Sequence, residues 1–296
     1  MKILLATDGS AYAEEAAKFL TKLCLTPDDE VMVFHVITLA PFKDDRESHE
    51  ASIRQIRHDI APRILDSSVR ILIPVHAKIS TALEEGYPDR AIVDAAIRSG
   101  TDLVVMGARG LTGIKALVVG SVTRSVAINS LKPVLIVKPA QKGSPDKMKL
   151  LLAIDGSQYS DATMRILASL PFPQGTEMTV LNVIQSPLSD IPERFILETD
   201  DRIRQNLIRV RTMEYTGSER TLEQARKYLC RRFPMTRTLA RVGDPSFEIL
   251  HEAEILQPDI IAVGSSGMRG VKGMLGSVSR DIVIHSPCHV LVGKGD

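Results

Sequence analysis

Short hydrophobic runs alternate along this chain with stretches in which apolar residues recur at helical spacing. Near-continuous Val, Ile and Leu suits strands of a parallel sheet that is covered on both faces, and the alternation is typical of βαβ units. In the first half the predicted strands are 2–7, 30–38, 71–79, 102–107 and 133–137, and the predicted helices are 10–25, 44–67, 89–99 and 120–130. In the second half the predicted strands are 149–154, 177–184, 236–242, 259–264 and 289–292. The pattern therefore predicts an α/β fold.

The same order of elements occurs twice. Residues 2–10 read KILLATDGS and residues 149–157 read KLLLAIDGS, and the glycine-rich segment 106–124 returns at 263–280. Changes confined to loops and outer helices are expected of a duplicated domain. The predicted domains are residues 1–142 and 147–296.

Two segments lie outside the strict repeat. Residues 139–146 have the composition of a linker, and we place the domain boundary near Gly143. Matching residues are 147 apart at the first strands (8 to 155) and 157 apart at the glycine motifs (107 to 264), so the second half carries an insertion. We expect the enlarged region 200–233 to form two helices, which Gly217 and Ser218 separate.

The glycine motifs are the candidate binding elements. A glycine-rich turn between a strand and a helix start lets the backbone approach a phosphate closely, and the free N–H groups of the helix end favour an anion. The alternative is that these glycines only form tight turns. Neither copy contains Gly-Lys-Ser/Thr at the helix start, so neither is a Walker A loop, and we expect Lys115 and Lys272 to be solvated loop residues.

The spacing of these motifs resembles that of the universal stress protein family, in a tandem form. The family's pattern of Gly, two residues, Gly, nine residues, Gly and Ser is met by Gly107, Gly110, Gly120 and Ser121. It recurs with eight residues in the long gap at Gly264, Gly267, Gly276 and Ser277. The Asp-Gly-Ser after each first strand and His35-Val36 at the end of the second strand belong to the same pattern. The resemblance implies, in each half, a five-stranded parallel sheet of order 3-2-1-4-5 with helices on both faces.

That strand order brings the ends of the first and fourth strands to one crevice. The resemblance implies that ATP or another adenine nucleotide binds there, with Mg as a companion ion. An aspartate would face the ribose, the main chain of a valine would contact the adenine, and the glycine loop and helix start would hold the phosphates. The implied residues of the first half are Thr7, Asp8, Val36, Met106, Gly107, Arg109, Gly110, Gly120, Ser121, Val122 and Thr123. Those of the second half are Asp155, Val183, Gly264, Ser266, Gly267, Gly276, Ser277, Val278 and Ser279.

The two halves are not equivalent. The shorter second loop predicts a weaker phosphate site there, unless Gly270 and Gly273 let the loop re-route. Arg109 could reach a phosphate or lie in solvent, whereas its counterpart Ser266 supplies no charge. His35 is matched by Asn182, which argues against a shared catalytic or metal role, and we predict no catalytic residue and no metal site.

Composition restricts the classes of partner. The chain has 37 basic and 36 acidic residues, a net charge of +1, 4% aromatic residues and no Trp, so we expect neither nucleic acid nor a membrane as partner. Three widely separated cysteines indicate free thiols, and the short N-terminal apolar run is no signal peptide, so we expect a cytoplasmic protein. The arginines of region 200–233 suit a solvated helix face, with a partner-docking surface as the alternative.

We therefore expect a cytoplasmic protein of stress response or signalling rather than an efficient catalyst. The sheets should associate through their last strands, as in the dimers of single-domain relatives, and a protein partner or a homodimer is also open. One alternative is an interaction scaffold that has lost nucleotide binding in one or both halves. The other is a slow ATPase or a nucleotidyl-transfer enzyme, although no arginine finger or metal set is visible.

Overall fold

The computed structural model describes residues 1–38, 47–111, 119–139, 147–188, 191, 200–267 and 275–295. Its strands are β1 (Lys2–Ala6), β2 (Glu30–Thr38), β3 (Lys78–Gly86), β4 (Leu103–Gly107), β5 (Val134–Val137), β6 (Lys149–Ile154), β7 (Glu177–Ile184), β8 (Thr236–Val242), β9 (Ile260–Gly264) and β10 (His289–Gly293). Its helices are α1 (Ala11–Leu20), α2 (Glu47–Leu72), α3 (Pro88–Arg98), α4 (Ser121–Asn129), α5 (Gln158–Ser169), α6 (Asp201–Leu229), α7 (Pro245–Leu256) and α8 (Ser277–His285). The domain boundary expected near Gly143 lies outside the described residues.

All ten strands form one sheet, in the order β3-β2-β1-β4-β5-β10-β9-β6-β7-β8. Within each half the strands are parallel and follow the predicted order 3-2-1-4-5. The halves join where β5 pairs antiparallel with β10, with Leu135 opposite its own counterpart Leu291. The predicted association through the last strands is therefore present within one chain.

Helices cover both faces of the sheet. Buried side chains of α1, α2, α5 and α6 pack on one face, and those of α3, α4, α7 and α8 pack on the other. Each face has a core that runs through both halves, because residues of β5 and β10 belong to it. Ser10 is the N-cap of α1, since its Oγ accepts the Ala13 N–H at 3.3 Å. The matching Ser157 Oγ accepts the Ser160 N–H at 3.2 Å in the second half.

Two matching lysines connect the halves beside this antiparallel pair. Lys138 follows β5 and donates from Nζ to the Ser286 carbonyl at 2.6 Å, at the C-terminal end of α8. Lys294 follows β10 and donates from Nζ to the Ala127 carbonyl at 2.7 Å, in the last turn of α4. A cation is favoured at a helix C-terminus, where carbonyls lack intrahelical partners. Each half thus completes a helix end of the other.

Burial lowers the pKa of each of these lysines, Lys138 and Lys294, from 10.5 to about 8. Between those values the unfolded chain binds more protons than the folded one, so stability rises with pH over this interval. Between about pH 7.5 and about pH 10 the free energy of unfolding of the wild type should rise by about 2–4 kcal/mol more than that of a Lys138→Met/Lys294→Met variant. Urea unfolding of both proteins at the two pH values measures this difference. Parallel pH profiles of the two proteins would contradict the prediction.

The third strand is an error of the sequence prediction. The apolar residues at 71–79 do not form it, because Ile71 and Leu72 belong to the last turn of α2, and β3 begins at Lys78. Leu72 is fully buried in the core and Ile73 is exposed. None of the β3 residues is buried, because β3 is an edge strand of the sheet. It therefore carries polar residues and lacks the hydrophobic run on which the prediction depended.

The predicted break at Gly217 is also wrong, because α6 continues without interruption through this position. Ser218, Leu222 and Ala225 are buried on the side of α6 that faces the sheet. A glycine within a helix costs about 1 kcal/mol relative to alanine, and fully burying one leucine side chain contributes about 1.5–3 kcal/mol. The packing of the helix therefore outweighs the local preference of one glycine.

Gly217→Ala should stabilise the protein by about 0.5–1 kcal/mol, because a methyl group restricts the unfolded chain and favours the helix. A Cβ at this position meets no atom within 4 Å. Gly100→Ala is the control: its Cβ also has open space, but its φ of +64° disfavours alanine and the variant should lose stability. Denaturant unfolding measures both changes, and destabilisation by Gly217→Ala would contradict the prediction.

Candidate functional site

A cavity of about 870 Å³ opens in the first half at the carboxyl ends of β1, β2 and β4. This is where the strand order reverses, the place at which open parallel sheets bind ligands. All residues that the family resemblance implies for this half line the cavity: Thr7, Asp8, Val36, Met106, Gly107, Arg109, Gly110, Gly120, Ser121, Val122 and Thr123. The fold thus brings together residues that are separated by more than a hundred positions.

Asp8 joins the end of β1 to the glycine loop. Its Oδ1 accepts the Ser10 N–H at 3.0 Å and its Oδ2 accepts the Leu111 N–H at 3.2 Å. A Cβ on Gly110 would collide with Oδ2, so glycine is required for this close approach. Each carboxylate oxygen has a further lone pair, with which Asp8 can accept a ligand hydroxyl.

The second half reproduces this arrangement. Asp155 accepts the Ser157 N–H at 3.0 Å through Oδ1. A Cβ on Gly267 would lie 2.9 Å from Asp155 Oδ2, so the loop again approaches the carboxylate closely. Asp8 and Asp155 therefore occupy matching places at the ends of β1 and β6, where the strand order of each half reverses. We call this place in the second half the second crevice.

Gly120 forms the N-cap of α4 and faces the cavity. Its N–H donates to the Ala108 carbonyl at 2.8 Å, and the matching Gly276 N–H donates to the Ser265 carbonyl at 2.8 Å. The φ of Gly120 is −62°, and a Cβ there would make an ordinary contact of 3.4 Å with Arg109 Cα. The fold itself therefore does not require glycine at this position. The open N–H groups of the helix start create a place for an anion.

Two hydroxyls of the implied site residues donate to main-chain carbonyls. Thr123 donates from Oγ1 to the Gly107 carbonyl at 2.9 Å, and Ser279 donates from Oγ to the Gly264 carbonyl at 2.5 Å. These bonds fasten the helices α4 and α8 to the strands before them. Ser121 is exposed at the start of α4 and lines the cavity.

Gly107 serves the packing of α1 against β4. A Cβ on Gly107 would lie 2.6 Å from the carbonyl carbon of Tyr12, and one on Gly264 would lie 3.0 Å from that of Tyr159. A contact of 2.6 Å with helix backbone is not compatible with a side chain, and one of 3.0 Å would require the helix to shift. The first glycine of the motif is therefore needed by the fold as well as by the crevice.

Arg109 lies on the cavity wall and packs on an aromatic ring. Its Cζ lies 5.7 Å from the centroid of the Tyr12 ring, and its Nη1 donates to the Tyr12 hydroxyl at 3.4 Å. The residue is half-buried, and its guanidinium group is held against the Tyr12 ring, so the side chain does not extend into solvent. Its positive charge is held at the mouth of the crevice.

Sequence reasoning missed the contribution of α2. Arg57, Ile60 and Ile64 line the cavity from this helix. The motifs give no signal for them, because the placement of α2 on the sheet depends on packing along its whole length. The alternation of strands and helices predicts a helix at the place of α2 but does not predict which of its residues reach the cavity.

His35 has a structural role that the repeat could have revealed. Its Nδ1 donates to the Thr7 carbonyl at 2.8 Å, and the matching Asn182 Nδ2 donates to the Ile154 carbonyl at 2.7 Å. Both side chains thus bind the carbonyl at the end of the first strand. A polar residue at the same place in two apolar strands is the signal that predicts such a shared bond.

The described donor set of the cavity does not suit a protein-held magnesium ion. Asp8 is the one carboxylate among the lining residues that the structure describes, and Mg²⁺ is usually held by carboxylates together with substrate phosphates. Across the described parts of the chain, no cluster of three His, Cys, Asp or Glu side chains could hold a metal.

Among the helices of the described residues, none is long and apolar enough to cross a membrane. Cys24, Cys230 and Cys288 are free thiols.

The strand order and the matching residues at the two places where it reverses define a duplicated, doubly wound α/β protein. The model of the universal stress protein family matches residues 1–138 and again residues 148–294. The chain therefore belongs to the universal stress protein family, in its tandem two-domain form.

Individual relatives and a solved structure are similar to this chain. A universal stress protein of Methanocaldococcus jannaschii is 33% identical over 142 residues, which cover 48% of this chain and 84% of that protein. One from Mycolicibacterium smegmatis is 23% identical over 299 residues, which cover 98% of this chain and 96% of the relative. The crystal structure of a universal stress protein from Archaeoglobus fulgidus covers all of this chain (100%, and 97% of its own) at 22% identity, with a TM-score of 0.65. The last two relatives extend over both halves.

Proposed function

We propose that the first half binds an adenine nucleotide, with ATP as the expected ligand. The observation that carries this proposal is the cavity in which Asp8, the glycine loop and the start of α4 meet. Asp8 supplies an acceptor for ribose hydroxyls, and the N–H groups around Gly120 and Ser121 supply a site for phosphates. Apolar side chains of Phe34 and Ile92 offer walls for a base.

Within this proposal the chain acts in the cytoplasm, in stress response or signalling, rather than as an efficient catalyst. A nucleotide bound by backbone groups and one carboxylate can report its own concentration without being consumed. Mass spectrometry of small molecules released from freshly purified protein identifies the ligand, and calorimetry with ATP and AMP measures its affinity. Failure to detect any adenine compound by either method would overturn the proposal.

Hydrolysis of ATP should be slower than about 1 per second, the lower end of ordinary enzymatic turnover. Arg109 packs on Tyr12, and both oxygens of Asp8 already accept main-chain N–H bonds, so neither is arranged to act on a γ-phosphoryl group. Phosphate release at saturating ATP measures the rate, and a Gly120→Val preparation serves as the blank for contaminating activity. Turnover within the ordinary enzymatic range by the wild type alone would favour an ATPase.

A further inference from the structure

The two crevices can be aligned residue by residue through the long helices α2 and α6. A Cβ on Gly9 would lie 3.2 Å from Ile64 Cγ1, and one on the matching Gly156 would lie 3.6 Å from Thr221 Oγ1. The same offset of 157 residues pairs the buried residues Ala61, Leu65 and Leu72 with the buried residues Ser218, Leu222 and Leu229. Arg57 of α2 therefore corresponds to Glu214 of α6.

Arg57 and Glu214 occupy matching places but carry opposite charges. Arg57 Nη1 donates to the Thr38 carbonyl at 2.6 Å, at the end of β2, and the side chain lines the first cavity. Glu214 Oε1 accepts the Ser186 hydroxyl at 2.9 Å, just beyond β7. Each residue connects its long helix to the end of the second strand of its half. The sign of the charge beside the crevice is thus reversed between the halves.

The glycine loops add to this difference. Arg109 holds a positive charge at the mouth of the first crevice, and the matching Ser266 is a buried, uncharged residue. Each crevice has an aspartate at the matching place, Asp8 in the first and Asp155 in the second. Among the described residues at these matching positions, the first crevice has two arginines and one aspartate, and the second has two carboxylates.

We infer that the two crevices are specialised by charge: the first takes an adenine nucleotide as a polyanion, and the second takes an uncharged ligand of the nucleoside class. This inference rests on the proposed adenine-nucleotide function. The second crevice keeps the carboxylate that suits ribose and a glycine cap at its helix start, so the features of a nucleoside site remain. Its two carboxylates repel phosphates, and crevices concentrate such fields because their walls have a low dielectric constant.

The test separates the crevices with two double variants. Asp155→Ala/Gly276→Val leaves the first crevice intact, and Asp8→Ala/Gly120→Val leaves the second intact. Calorimetry with ATP and with adenosine at low salt gives the ratio of the two dissociation constants for each crevice. We expect the first crevice to bind ATP at least about tenfold more tightly than adenosine, and the second to bind adenosine at least as tightly as ATP.

Charge exchange then identifies the residues responsible. Arg57→Glu should lower the ATP preference of the first crevice about tenfold, and Glu214→Arg should raise that of the second by a similar factor. The matched controls are Arg63→Glu and Glu219→Arg, which change the same charges at exposed positions of α2 and α6. They should leave the ratios unchanged, since both residues are exposed and Arg63 is not among the residues that line the first cavity.

Three outcomes would overturn the inference. One is a second crevice that prefers ATP as strongly as the first does. Another is a ratio that Arg57→Glu and Glu214→Arg do not move. A second crevice that binds neither compound also refutes it, while leaving the function of the first half intact. Absence of adenine binding at both crevices would instead refute the proposed function itself.

Discussion

Gly120→Val is expected to abolish nucleotide binding by the first half while the protein stays folded. The two methyl groups of valine would occupy the space in front of the α4 N-terminus, where phosphates need direct access to N–H groups. The fold tolerates the change, because the φ of Gly120 is −62° and its Cβ would make only ordinary contacts. The loss of the Gly N-cap should cost about 1 kcal/mol of stability.

Calorimetry with ATP should show at least a hundredfold loss of first-half affinity, about 2.7 kcal/mol or more. Circular dichroism and an unfolding curve establish that the variant is folded. Gly276→Val is the matched control, because it makes the same change at the other helix start and should spare the first-half site. Wild-type ATP affinity in a folded Gly120→Val protein would show that the phosphates lie elsewhere.

Gly107→Ala should destabilise the whole protein, by about 3 kcal/mol or more. Its Cβ would lie 2.6 Å from the carbonyl carbon and oxygen of Tyr12 and 2.9 Å from the Ala13 nitrogen. These are backbone atoms of α1, so no side chain can rotate away, and α1 would have to move off the sheet. The buried residues of α1 that pack on the core, such as Ala16 and Leu20, would lose contacts.

Gly86→Ala is the control for this variant. Gly86 ends β3 as Gly107 ends β4, but a Cβ there meets no atom within 4 Å. Its stability should change by less than about 0.5 kcal/mol. Urea unfolding compares both variants with the wild type, and equal stabilities for Gly107→Ala and Gly86→Ala would show that α1 can shift at little cost.

Gly107 and Gly120 show what sequence alone could and could not predict. The motif identified both positions, because its glycines recur in the same order in both halves. The reasons differ, and only the packing reveals them: Gly107 makes room for a helix, while Gly120 leaves room for a ligand. The motif therefore gave the location of the crevice without the role of each residue.

The errors in the predictions made from the sequence have a common physical cause. The third strand was misplaced because an edge strand is exposed and polar, whereas the neighbouring helix end contains the apolar residues Ile71 and Leu72. Gly217 predicts a break in α6 because glycine disfavours a helix locally, whereas burial along the helix keeps it continuous. Arg57 was missed for a related reason, since its place at the crevice depends on how α2 lies on the sheet. In each case a tertiary contact overrides a local signal.

One predicted asymmetry stays a prediction. The expected weaker grip of the second loop depends on residues 112–118 and 268–274, including Lys115, Lys272, Gly270 and Gly273, which lie outside the described residues. The charges of Arg57 and Glu214 give an independent reason to expect tighter ATP binding in the first half.

The antiparallel pairing of β5 with β10 has an evolutionary consequence. In a dimer of identical chains the same residues form both crevices, so no substitution can alter one of them alone. Here each half has its own sequence within one chain, so Arg57 and Glu214 can mutate separately. Lys138 and Lys294 remain matched, because each supports the opposite half. Selection can thus diversify the two crevices while it conserves the seam between them.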